Sequence, residues 1–294
     1  MKILVFGSLN IDKTYALAAF VQPGQTVSAR GMEQFCGGKG FNQAVALRRA
    51  GQEVFFAGAV GADGGMLLEA LDANGIDRTF VKQTQGATGH AVIQVDDQGG
   101  NCIIILAGAN GAITAEDADR TLAHFGAGDL IVLQNEISCV PEILRLAREK
   151  GMTVAFNPSP CDEKIAACDL SAVDYLLINE TEGAALTGQD APGEILDALR
   201  KRYPRMCTVL TLGSEGAVYQ DADGTRLVCG AYPVKAVDTT AAGDTFTGYF
   251  LSGMLRHGDA AKALRTASAA AGIAVSRKGA EPSIPMIAEV EAIL

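Results

Sequence analysis

The sequence predicts an α/β fold: a three-layer sandwich around a mostly parallel central sheet, with a small β-sheet lid. Three observations carry this. Short, almost unbroken apolar runs alternate with helix-like segments along most of the chain, as in strands covered on both faces by crossover helices. The 294 residues are 48% hydrophobic and only 20% charged, which supplies one large core. Two stretches, 12–36 and 80–106, abandon that rhythm for alternating segments separated by turn signals, as antiparallel strands do.

The elements follow in order. Buried strands are predicted at 3–7, 54–60, 130–133, 153–156, 175–178 and 208–212. Helices are predicted between them. The first, 40–50, opens after a Gly-rich turn and stops at Gly51; the second, 66–73, ends before Asn74-Gly75. A third, 114–124, starts on Thr114 with Asp117 three residues on, a relative of the capping box. A fourth, 141–150, has Pro141 in its first turn and Gly151 just beyond its end. Right-handed crossovers then join the strands. In the lid, Pro23-Gly24 separates two segments, and 80–83, 90–95 and 102–106 read as a meander with a turn at 96–100. No linker or repeat interrupts the chain, so residues 1–294 read as a single domain with 12–36 and 80–106 as its lid.

Composition excludes several functions. The net charge of −10 has the wrong sign for a non-specific nucleic-acid binder. The seven cysteines are scattered and include no C-x-x-C pair, which suits a reducing compartment better than a disulfide framework or zinc site. The first eight residues turn polar too soon for a signal peptide. No apolar stretch reaches the roughly 20 residues of a membrane helix, so a cytoplasmic protein is expected. A P-loop is absent, because Gly38-Lys39 is followed by Gly40 and residue 33 is Glu. Gly7-Ser8-Leu9 is no dinucleotide fingerprint. The three histidines stand singly.

The strongest local signal is Asp238-Thr239-Thr240-Ala241-Ala242-Gly243-Asp244, small residues leading into the apolar helical run 246–255. Free amides and the positive end of a helix dipole make such a loop an anion site. Asp244 at this helix start reads first as a cap. A carboxylate beside an anion site also suits a base that takes a proton from an attacking hydroxyl.

Asp238–Asp244 resembles the C-terminal signature of the ribokinase, or phosphofructokinase-B, family of carbohydrate kinases. Gly37-Gly38-Lys39-Gly40-Phe41-Asn42-Gln43-Ala44 resembles its other signature. Further matches are Gly7–Asp12, Asn179-Glu180-Thr181-Glu182, Thr211–Gly216 and Arg277–Ser283, in family order across nearly the whole chain. The resemblance implies a ribokinase-like fold and ATP-dependent phosphorylation of a ribose-like sugar at its primary hydroxyl. It implies Asp244 as the base and the Ala241, Ala242 and Gly243 amides as the hole for the transferring phosphoryl group. Asn179 and Glu182 would organise Mg²⁺ and phosphates, although the same residues suit an ordinary helix start. Thr211, Gly213, Ser214, Gly216, Gly243 and Ser268 would line the nucleotide site.

A sugar needs convergent donors and acceptors that are costly to leave unpaired. The resemblance supplies Asn10, Asp12, Gly38, Lys39, Asn42 and Glu136, with Asp244 reaching the reacting hydroxyl. It also implies a potassium ion held by oxygens of Asp238, Thr240, Ala274, Arg277, Gly279 and Ser283, and a homodimer formed through the lid strands. Phe41 departs from the family pattern, which has a small residue there; facing the pocket it would narrow it, facing the core it would only pack. Kinases of the same fold acting on nucleosides (pseudouridine included), deoxyribose or ketohexoses remain alternatives. A sugar sensor that has lost catalysis is another, but it would not be expected to keep Gly243 and Asp244.

Overall fold

The computed structural model describes residues 1–98 and 100–294; Gly99, within the predicted 96–100 turn, lies outside them. The chain opens with strands β1 (Ile3–Phe6), β2 (Asn10–Ala16) and β3 (Gly31–Gly37), then helix α1 (Lys39–Arg49). Next come β4 (Val54–Val60), α2 (Gly65–Ala73), β5 (Asp77–Gln83), β6 (Gly89–Val95), β7 (Asn101–Leu106) and α3 (Ala115–Leu122). The middle holds β8 (Leu130–Gln134), α4 (Val140–Glu149), β9 (Thr153–Asn157), β10 (Tyr175–Asn179), α5 (Glu180–Thr187), α6 (Pro192–Arg202) and β11 (Cys207–Thr211). The last part holds β12 (Ala217–Gln220), β13 (Arg226–Cys229), α7 (Ala242–His257), α8 (Ala260–Val275) and α9 (Ile287–Glu291).

Nine strands form the central sheet in the order β13-β12-β11-β10-β9-β8-β1-β4-β5. All neighbours from β11 to β5 run parallel, and β12 and β13 add an antiparallel edge. Side chains alternate between two cores. Ile3 and Val5 face α1, α2, α7 and α8, whereas Leu4 and Phe6 face α3, α4 and α6. Burial on both faces is why these strands read as unbroken apolar runs. The strand order turns at β1, whose neighbours β4 and β8 lie on opposite sides. An open α/β sheet binds its ligand at such a switch, outside the carboxyl ends of the strands.

Four further strands form a separate sheet in the order β3-β2-β6-β7. It consists of two antiparallel hairpins, β2–β3 and β6–β7, joined by parallel pairing of β2 with β6. The meander predicted over 80–106 does not form as one unit. Residues 80–83 belong to β5, which pairs in parallel with β4 on the edge of the large sheet. Phe80 is drawn there by packing against Phe55 and Phe125, a choice that alternation alone does not reveal. The sequence pattern also does not predict the β12–β13 hairpin. Among the described residues, no helix is long and apolar enough to cross a membrane.

Candidate active site

At the switch, β1 and α1 approach so closely that only glycine fits. A Cβ on Gly40 would lie 2.4 Å from the Ser8 nitrogen. Gly38 precedes α1 at φ 96°, a conformation that side chains resist. The approach brings Ser8, Lys39 and Glu136 together. The Ser8 hydroxyl donates to Glu136, and the Lys39 amide donates to the same Oε2 at 2.8 Å. Burial pushes the Glu136 carboxyl up, and Lys39 and Ser8 offset only part of this. Burial, then Glu136, raises Asp12 to about 7. For the Lys39 ammonium, burial acts downward, but Asp244, Glu136 and Glu182 outweigh it and hold the group above its ordinary value. Asn10 is buried, and its Oδ1 accepts from Asn110 Nδ2 at 2.8 Å.

Asp244 is 7% exposed and is the third residue of α7, not its cap. The cap position is Ala241, at φ 58°, with no capping side chain. The Asp244 carboxylate turns inward. Its Oδ2 accepts from Asn42 Nδ2 at 3.1 Å and its Oδ1 from Gln43 Nε2 at 3.0 Å. The Ala242 amide leans on the Thr239 carbonyl at 3.3 Å. A Cβ on Gly243 would meet nothing within 4 Å, so protein packing does not require glycine there and the space beside it is open.

Two cavities meet at this turn. The first, about 250 Å³, is lined by Lys39, Asn179, Glu182, Asp244 and the 241–243 backbone. The second, about 520 Å³, is lined by Gly213, Ser214, Gly216, Pro233, Val234, Ser268, Ala271 and Val275. Thr211, Thr239, Ala242, Gly243 and Phe246 line both. Asn179 and Glu182 form a full capping box on α5, each side chain bonded to the other's amide. Ser268 turns its hydroxyl to the Gly230 carbonyl at 2.9 Å. Phe41 is fully buried in the core beneath α1.

The family profile described as pfkB family carbohydrate kinase matches residues 1–287. The chain belongs to this family. Two curated relatives are similar along their whole length. The ribokinase of Schizosaccharomyces pombe is 36% identical over 310 residues, covering 99% of this chain and 97% of that protein. The ribokinase of Haemophilus influenzae is 34% identical over 292 residues, covering 96% of this chain and 95% of that protein. Among solved structures, Arabidopsis thaliana ribokinase complexed with ribose and ATP is 29% identical, with a TM-score of 0.86 over 99% of this chain and 98% of that one. As a pfkB carbohydrate kinase, the chain is an enzyme, which removes the sensor alternative.

Beside the α7 turn, the pfkB chain joins two loops through Asp238. Its Oδ1 accepts from the Thr240 amide and hydroxyl, and its Oδ2 from the Gly279 amide at 2.9 Å. Burial acts upward on this carboxyl, but the Thr240 and Gly279 donors outweigh it and hold it below its ordinary value. Arg277 turns its guanidinium to Glu289 at 2.5 Å. Ser283 is fully buried and donates to the Ala280 carbonyl at 2.7 Å. Sequence reasoning missed the buried Ser8, Gln43, Asn110 and Gln134 and the half-buried Asn157, polar residues behind these groups.

Proposed function

We propose that this carbohydrate kinase transfers the γ-phosphoryl group of ATP to the primary hydroxyl of ribose, with Asp244 as base. One observation carries the reading: a carboxylate held by two amide donors stands in the first turn of a helix that opens on two joined cavities. The similarity to ribokinases and to the complex with ribose and ATP supports this donor and acceptor. In the proposed cycle the sugar lies against Asn10, Asp12, Gly38, Lys39, Asn42 and Glu136. Asp244 takes the proton of the 5-hydroxyl as its oxygen attacks the γ-phosphorus, and ADP leaves with the bonding pair. Lys39 and the first-turn amides of α7 balance the charge that develops.

Two ions fit the chemistry of the site. Among the described residues, no group of three or more His, Cys, Asp or Glu could hold a metal. Mg²⁺ fits as an ion carried by the phosphates beside Asn179 and Glu182, which line the first cavity, and it would neutralise phosphate charge when bound. A monovalent cation fits the oxygens of Asp238, Thr240, Arg277, Gly279 and Ser283, with that of Ala274 in the last turn of α8. Turnover is expected to be higher in potassium than in sodium; equal rates would remove that ion from the proposal.

The small sheet is assigned as the lid that excludes water. On β7, Ile103, Ile104, Ile105 and Leu106 are each about half exposed or more, and a second copy of the chain would cover them. Sedimentation should give a dimer, and Ile104→Lys a monomer. The enzyme is assigned to the cytoplasm, a reducing compartment consistent with seven free cysteines.

The deciding assay measures ADP release with Mg²⁺ and potassium across ribose, 2-deoxyribose, fructose, adenosine and pseudouridine. The highest kcat/KM is expected for ribose. A clear preference for another acceptor would overturn the substrate and keep the kinase.

A further inference from the structure

We infer that Gln43 is a positioning residue for Asp244, held in place by Gln134. The inference rests on the proposed role of Asp244 as base. Gln43 is fully buried, and its side chain reaches three partners. Nε2 donates to Asp244 Oδ1 at 3.0 Å and to Asn157 Oδ1 at 3.2 Å; Oε1 accepts from Gln134 Nε2 at 2.7 Å.

Chemistry fixes the direction of this chain. An ionised carboxylate only accepts, so the Gln43 atom facing Asp244 must be its NH₂. The carbonyl oxygen then faces Gln134, which must donate. Asn157 is turned the matching way, because its Nδ2 donates to the Leu177 carbonyl at 2.8 Å. Gln134 lies at the end of β8, and Gly7 makes room for it: a Cβ there would fall 2.2 Å from Gln134 Oε1. Strands β8, β9 and β10 thus fix the rotation of a carboxylate carried by α7. Asn42 holds the other oxygen, Oδ2.

Misplacing a reacting group by about 1 Å costs on the order of 100-fold. Gln43→Leu removes the donor, so kcat should fall about 10- to 100-fold with KM for sugar and ATP within about twofold. Gln43→Glu keeps the size and the Gln134 bond but faces Asp244 with a second carboxylate, and should lose at least as much. Gln134→Leu should lose less, in the same direction. Thermal melting identifies folded variants. Should Gln43→Leu fail to fold, Gln43→Glu and Gln134→Leu carry the test. Normal kcat in folded variants, or a raised sugar KM with kcat kept, would overturn the inference. Wild-type turnover with an inactive Asp244→Asn tests the underlying reading separately.

Discussion

On the β1–β8 side, Asp12, Glu136 and Lys39 form a polar wall partly screened from water, in which Glu136 acts on the charge of the other two and Lys39 lines the first cavity. On the β11–α8 side, Pro233, Val234, Ala271 and Val275 line a wider cleft with few charges. The polar wall suits an acceptor made of hydroxyls, since a missing partner there leaves a buried group unpaired. The apolar wall suits a flat base held by contact area, where each loss is small. Between them lies the first turn of α7, whose Ala242 and Gly243 line both cavities.

Predictions that probe this contrast range from large to small. Asp244→Asn should lower kcat by ~10²–10⁴-fold, with the fold intact by circular dichroism. The new amide would also set one NH₂ group against a donor from Asn42 or Gln43. Phe41→Ala should cost about 3–5 kcal/mol of stability, read by denaturant unfolding, and leave the ranking of acceptors unchanged. A changed ranking would put Phe41 in the polar wall after all.

Asp12 gives the polar wall a pH signature. Its carboxyl is raised to about 7, so in the free enzyme it is protonated below that pH and charged above it. An acceptor that needs the carboxylate then loses kcat/KM about tenfold per pH unit on the acid side. Asp12→Asn should remove this limb at a lower plateau. On the apolar wall, Val234→Ala should raise KM for ATP by only about fivefold, on the order of 1 kcal/mol. A large loss there, or a small one at Asp244, would erase the contrast.

Much of the fold was legible because burial writes itself into period and punctuation. Runs such as Ile3–Phe6 and Leu130–Gln134 lie within the large sheet, and Thr114 and Asp117 form a full capping box. The placement of β5 was not legible, since alternation identifies a strand but not its partner. At the site, short glycine-rich and small-residue runs marked the places where backbone must approach closely or expose amides. The amides behind Asp244 left no such mark. A buried glutamine looks like a surface glutamine in a sequence; only the position of Gln134 after four apolar strand residues hinted that it was enclosed.

The parallel seam between the hairpins, with Asn10–Ala16 in register with Gly89–Val95, bears on how such a kinase changes through descent. Hairpin β2–β3 is inserted between β1 and α1, and hairpin β6–β7 between β5 and α3. Either could be exchanged by recombination without disturbing the strand order of the large sheet. Neither can change alone, because each supplies the pairing edge of the other. The two segments are therefore expected to be inherited as a unit, while α7 and its first turn pass on unaltered.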